Sequence, residues 1–137
     1  MNEADVIKIL KKKLGFSDNS IEKLKKFHNH LLEYNKRYNL ISKSTESSVW
    51  LRHILDSAQI IRFLDLKKVN NIADFGTGGG FPGIIIAIYN DNASFHVKLY
   101  EKSPVKRDFL INVKNKLNIK NLSIENNVYE KQIIADV

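Results

Sequence analysis

The segment Asp74-Phe75-Gly76-Thr77-Gly78-Gly79-Gly80-Phe81-Pro82-Gly83 gathers five of the chain's six glycines into eight residues. It follows a short strand-like run, Asn71 to Phe75, and opens a helical one, Pro82 to Tyr89. Glycine in such a turn permits positive φ and lets a ligand approach the backbone with no Cβ in the way. A tight turn alone is served by one or two glycines. Three ligand chemistries compete. A phosphate-binding loop needs Gly-Lys-Ser/Thr at the helix start, and Phe81-Pro82-Gly83 supplies none of it. A dinucleotide fingerprint can be read at Gly78, Gly80 and Gly83, but it begins four residues past Asp74 and encloses Pro82. The S-adenosylmethionine pattern, D/E-x-G-x-G-x-G, falls without adjustment on Asp74, Gly76, Gly78 and Gly80. That cofactor has no pyrophosphate to seat at a helix N-terminus. It carries a sulfonium and an α-amino group, which an acid at a strand tip offsets. Its ribose diol asks for a bidentate acceptor at the tip of the next strand. Glu101, 23 residues after Gly78, is that acceptor. An acid there serves NAD equally, so an NAD-dependent oxidoreductase stays the alternative within enzymes.

A second set of chemically able residues lies upstream, in Arg52-His53-Ile54-Leu55-Asp56-Ser57. His53 and Asp56 are three apart and share a helix face. They suit either a structural bond between helix and sheet or a contact to substrate. His28 and His30, two apart, point to different sides of a helix and make a poor metal pair. His96 has no partner visible in sequence. The chain has no cysteine, which excludes a disulfide scaffold, a thiol nucleophile and any Cys-based metal site. No metal site is predicted.

The loop, the RHILDS segment and Tyr34-Asn35-Lys36-Arg37-Tyr38-Asn39-Leu40 occur in the order and at the spacing of one family. The chain resembles the bacterial 16S ribosomal RNA guanine-N7 methyltransferase G family, also called glucose-inhibited division protein B. The resemblance implies a Rossmann-like α/β methyltransferase fold with an N-terminal helical extension. It implies S-adenosyl-L-methionine as donor and a guanine of 16S ribosomal RNA, in the small ribosomal subunit, as acceptor. By position, Asp74, Gly76, Gly78, Phe81, Glu101, Tyr129 and Glu130 are the expected cofactor contacts, and Arg52, His53 and Asp56 the expected substrate contacts. Two departures stand out. The family's usual Arg before the Tyr129-Glu130 pair is Val128, and its later Ser/Ala-Arg-Ala segment falls beyond Val137. A family chain cut short after its fourth strand is the expectation.

The elements that must position these residues divide into two regions. Residues 1–66 read as an N-terminal helical region, and 67–137 as the first half of a Rossmann-like domain. Val6, Ile7, Ile9, Leu10 and Leu14 follow a helical period that stops at Gly15. Ser17 to Ser20 can cap a second helix with Ile21, Leu24, Phe27, Leu31 and Tyr34 on one face. A loop spans 39–48. A third helix over 48–64 is expected to bury Val49, Leu51, Ile54, Leu55, Ala58 and Ile61. Beyond Val69, strands over 71–75, 94–100, 121–125 and 132–137 alternate with helices over 82–89 and 103–117, the pattern of a parallel sheet.

Composition bounds the function classes. The 137 residues are 43% hydrophobic and 27% charged, as in an ordinary globular domain. The longest apolar stretch, Ile84 to Tyr89, is far short of the roughly 20 residues that span a bilayer. Glu3 and Asp5 break any secretory signal near the N-terminus. A cytosolic protein is expected. Of the net charge of +7, residues 1–70 carry six (14 basic, 8 acidic) and residues 71–137 carry one (8 and 7). A basic helical half suits a polyanionic partner. It leaves room for a third reading, a non-catalytic RNA-binding module. Trp50, Tyr34 and Tyr38 are candidates to stack on an unpaired base.

Overall fold

The computed structural model describes residues 1–90, 92, 94–126 and 135–137. Helix α1 (Glu3–Lys12) starts on a capping box. Asn2 accepts from the Asp5 N–H at 2.9 Å, and the Asp5 carboxylate accepts from the Asn2 N–H at 3.0 Å. Each satisfies a donor that the first helical turn leaves unpaired. The chain reverses at Gly15, at φ +79°. Ser17 then caps α2 (Asp18–Asn35), accepting from the Ser20 N–H at 3.0 Å. Ile21, Leu24, Phe27 and Leu31 line the buried face of α2, while Lys25, Lys26 and Lys36 stay in solvent.

The stretch expected to hold a loop and one regular helix is a compound helix. A 3₁₀ turn (Lys43–Ser48) leads into a π-helical segment (Trp50–Leu55), a single α-turn α3 (Asp56–Ala58) and a closing 3₁₀ turn (Gln59–Phe63). The Thr45 hydroxyl donates to the Ser42 carbonyl at 3.0 Å, a local bond that competes with an α-helical ladder. The wider π-turn rotates the inward stripe. Trp50 is buried at 5% exposure, while Leu51, expected inside, is 36% exposed. Val49, Ile54, Leu55, Ala58 and Ile61 are buried as expected.

Strands β1 (Asn71–Phe75), β2 (His96–Tyr100) and β3 (Leu122–Glu125) form a parallel sheet in that order. Ile72 pairs with Val97, and Val97 with Leu122. The crossovers are α4 (Gly83–Tyr89) and α5 (Pro104–Leu117). Ser103 caps α5, Pro104 fills its first position, and Asn118 closes it in the left-handed conformation at φ +54°.

Of the expected fourth strand, 132–134 lie outside the described residues. Residues 135–137 run along the edge of β1 away from β2. The Ala73 N–H donates to the Val137 carbonyl at 2.7 Å, and the Val137 N–H donates to the Asn71 carbonyl at 3.3 Å. The Asp136 carboxylate accepts from the N–H groups of Asn70 and Asn71 at 2.8 and 2.9 Å.

The helical region and the sheet share one core. Leu24, Phe27 and Leu31 of α2 belong to the same buried cluster as Ile84 and Ile85 of α4, Leu99 of β2 and Phe109 of α5. Each such side chain contributes about 1.5–3 kcal/mol by leaving water. That shared core holds the RHILDS segment and α2 against the glycine loop. The architecture is α/β and Rossmann-like, with helices ahead of a parallel sheet.

Candidate cofactor site at the strand tips

Asp74, near the end of β1, ties both ends of the glycine loop to one oxygen. Its Oδ2 accepts from the Thr77 hydroxyl at 2.7 Å and from the Gly83 N–H at 2.9 Å. Burial pushes its carboxyl pKa up, and those two hydrogen bonds pull it part of the way back. The Tyr100 carbonyl, at the end of β2, accepts from the N–H groups of Gly76 and Thr77 at 2.8 and 3.3 Å.

Four glycines of the loop divide into two pairs. Gly76 and Gly78 hold positive φ, +65° and +58°, and a Cβ on either would meet nothing within 4 Å. Gly80 and Gly83 face the protein. A Cβ on Gly80 would come within 2.9 Å of Ile84 Cγ2, and one on Gly83 within 2.3 Å of Leu99 Cδ2. The loop is open on the side of its first two glycines and packed on the side of its last.

Glu101 follows β2 and is 7% exposed, so it is no solvated strand-end charge. Its Oε1 accepts from the Gly78 N–H at 2.9 Å, and its Oε2 from the Ser103 N–H at 3.0 Å. Arg107 donates to the Glu101 carbonyl at 2.8 Å and to Asn126 Oδ1 at 2.9 Å, which fixes the backbone on that side. An ionised carboxylate offers about four lone-pair positions. Two are used here by backbone donors, and each oxygen keeps capacity for a diol.

The RHILDS segment reaches the loop through His53. Its ring stacks on Phe81, centroids 5.0 Å apart and planes at 27°. Phe81 meets Phe27 of α2 edge-on at 5.5 Å. His53 Nε2 bonds Thr45 Oγ1 at 2.9 Å. Thr45 Oγ1 also lies 3.0 Å from the Ser42 carbonyl, to which it donates, so the hydroxyl is held between the Ser42 backbone and the His53 ring. Burial lowers the His53 pKa, and the field of Asp56 opposes this. His53 and Asp56, three apart on one helix face, share no side-chain hydrogen bond among the described residues. Thr45 is the hydrogen-bond partner of His53, and Asp56 and Arg52 stand exposed on neighbouring turns.

The model of the family described as rRNA small subunit methyltransferase G matches residues 20–136. The chain belongs to that family. It is 44% identical over 110 residues to the ribosomal RNA small subunit methyltransferase G of Pelagibacter ubique, covering 77% of this chain and 51% of the relative. The protein of the same name from Magnetococcus marinus is 38% identical over 113 residues, covering 82% and 50%. That from Fusobacterium nucleatum is 36% identical over 124 residues, covering 90% and 52%. The chain thus spans about half the length of the curated relatives it matches.

For this family member, the sequence-derived site residues fall into three groups. Asp74, Gly76, Gly78 and Glu101 converge at the C-terminal ends of β1 and β2, and Phe81 joins His53 beneath the loop. Tyr129 and Glu130, with Val128, lie outside the described residues. Trp50 is a core residue tilted against His28 at 5.8 Å, so it offers no stacking surface to a base. Tyr34 packs on Phe109 at 5.1 Å, and Tyr38 is the more exposed of the tyrosine pair.

Several residues that build the site drew no role from the sequence. Thr77 locks Asp74, and Thr45 holds His53. Asn35, buried at 6% exposure, accepts from the N–H groups of Leu40 and Ile41 at 2.9 and 3.0 Å and donates to Glu46 at 2.5 Å. It thereby turns the chain out of α2 toward Thr45. The signal was its place in the Tyr34-to-Leu40 segment, on the inward stripe of an amphipathic helix, where a polar side chain must find partners.

Proposed function

We propose that this chain carries the cofactor-binding half of an S-adenosylmethionine-dependent methyltransferase acting on N7 of a guanine in 16S ribosomal RNA, in the cytosol. The carrying observation is the two-sided glycine loop. The open glycines, Gly76 and Gly78, are those the S-adenosylmethionine register puts against the ligand. The dinucleotide register needs close approach at its second glycine, which is Gly80, packed on Ile84 and Leu110. The Gly83 N–H at the start of α4 is also held by Asp74. A pyrophosphate there would meet a carboxylate. These two contacts speak against an NAD-dependent oxidoreductase.

The residues present fit the cofactor. Asp74, Gly76 and Gly78 would hold its aminoacyl portion and the loop side of its nucleoside, and Glu101 its ribose hydroxyls. When bound, it supplies an electrophilic methyl group on a sulfonium. Guanine N7 holds an unprotonated lone pair at neutral pH, so no acid or base is assigned. The protein's part is alignment, which can supply roughly 7–11 kcal/mol of a barrier. His53, fixed by Thr45 and by its stack on Phe81, links the helical region to the loop. With Arg52 and Asp56 it forms the proposed substrate edge. The six surplus charges of residues 1–70 suit ribosomal RNA phosphates. Among the described residues no helix is long and apolar enough to cross a membrane.

The test is methyl transfer from labelled S-adenosylmethionine to small subunits lacking the modification, with the product mapped by cleavage at N7-methylguanine. Label at a guanine N7 is the expected result. S-adenosylmethionine binding without transfer, by this chain and by a longer version alike, would leave only an RNA-binding module.

A further inference from the structure

A cleft of about 370 Å³ opens at the end of the sheet opposite the glycine loop. It is lined by Lys23 of α2, Ala87 of α4, His96 of β2, and Asn118, Ile119, Lys120 and Asn121 of the turn into β3. His96 begins β2 and Asn121 precedes β3. Gly76 and Glu101 follow the other ends of the strands, about 16 Å away along a five-residue strand.

The lining chemistry is one-sided. Lys23 and Lys120 line it from distant parts of the chain, and no carboxylate is among the described lining residues. The ion pairs among the described residues use Lys11, Lys25, Lys36 and Lys68, which leaves Lys23 and Lys120 without one. Gathering like charges costs free energy that an anion would offset. Burial, then Lys98 and Lys114, lower the His96 pKa, against the opposing pull of Glu125.

The cleft is also held in shape. The Ile119 N–H donates to the Lys114 carbonyl at 3.0 Å, and the Val97 N–H to the Asn121 carbonyl at 2.9 Å. Asn121 Nδ2 donates to the Asn90 carbonyl, and His96 Nε2 bonds Ser123 Oγ at 3.0 Å. Asn118 keeps its side chain exposed at the rim, and Ala87 and Ile119 form an apolar floor.

We infer that this cleft binds a phosphate group, held by Lys23 and Lys120 with Asn118 at the rim, as a second anion site remote from the cofactor loop. The phosphate is either a diester of an RNA strand or a free anion. The inference stands independently of the methyltransferase reading, because phosphate binding here needs no S-adenosylmethionine.

The experiment is an amide chemical-shift titration of the whole 137-residue chain. One arm adds inorganic phosphate at constant ionic strength, and the other a short single-stranded RNA. Shifts at Lys23, His96, Asn118 and Lys120 are expected. RNA shifts reversed by excess phosphate assign the diester, and shifts with phosphate alone assign the free anion. In the K23A/K120A variant the shifts should fall at least fivefold, and the slope of log affinity for RNA against log salt should shrink by about one. Two results would overturn the inference: no shift at these amides in either arm, or a K67A/K68A control that lowers RNA affinity as much as K23A/K120A does.

Discussion

Glycine does two unlike jobs within eight residues. Gly76 and Gly78 keep a surface clear, whereas Gly80 and Gly83 let α4 approach β1, β2 and α5. Substitutions should therefore separate. Gly76→Val adds a side chain in open space and a positive-φ penalty of about 1–2 kcal/mol. It should abolish S-adenosylmethionine binding in calorimetry while the far-ultraviolet circular dichroism stays unchanged. Unchanged affinity would contradict the role given to Gly76. Gly83→Ala drives a methyl into Leu99 and Asp74, and overpacking of this kind costs about 1–3 kcal/mol. Its denaturant midpoint should fall, and a wild-type midpoint would show that Leu99 yields freely. Glu101→Gln keeps the shape but exchanges one accepting oxygen for a donor. One of the Gly78 and Ser103 N–H groups then loses its partner, at about 1–3 kcal/mol. Cofactor affinity should drop at least tenfold. At this scale the sequence disclosed which residue types meet, since the spacing of acid and glycines is a local pattern. It left two glycine registers open, because which face of a turn is open depends on residues such as Leu99 and Leu110 that arrive from elsewhere.

Elements show where periodicity stops being informative. The faces of α1, α2 and α5 follow the ordinary helical repeat, and Ser17, which caps α2, stands where the sequence places it. The stretch 43–63 does not, because three kinds of helical turn succeed one another there. A repeat drawn for one kind sends Leu51 inward and misses Trp50. The link from α2 to this stretch depends on Asn35, whose hydrogen bonds to Leu40, Ile41 and Glu46 are tertiary in origin. Asn35→Ala strands two buried N–H donors, and a loss of about 2–6 kcal/mol is expected at 1–3 kcal/mol for each unpaired group. Hydrogen exchange at the Leu40 and Ile41 amides should quicken more than at Leu24 or Phe27. Equal acceleration across all four would mean that Asn35 acts on global stability alone and does not pin this turn.

The whole molecule joins a basic helical half to a near-neutral sheet through one core. Strand alternation made the parallel sheet legible, and residues 135–137 lie beside β1, where the fourth strand of such a fold belongs. All four histidines, His28, His30, His53 and His96, have pKa values lowered first by burial. Their unfolded reference is 6.5. Below it, the unfolded chain binds more protons than the folded one, so their contribution to stability is complete above 6.5 and is lost as pH falls through the lower folded values. Asp74, raised above 3.8 by burial, acts in the opposite sense as pH falls. The melting temperature should therefore hold between pH 8 and pH 7 and decline between pH 6.5 and pH 5. A flat profile across that lower range would refute the burial of these imidazoles.

The central claim is that the loop from Asp74 to Gly83, with Glu101, holds S-adenosylmethionine and not a dinucleotide. Parallel calorimetric titrations of the 137-residue chain with S-adenosylmethionine and with NAD, repeated on Gly76→Val, address it most directly. Saturable binding of S-adenosylmethionine alone, lost in the variant, is the predicted result. Tighter binding of NAD, or S-adenosylmethionine affinity that survives Gly76→Val, would contradict it.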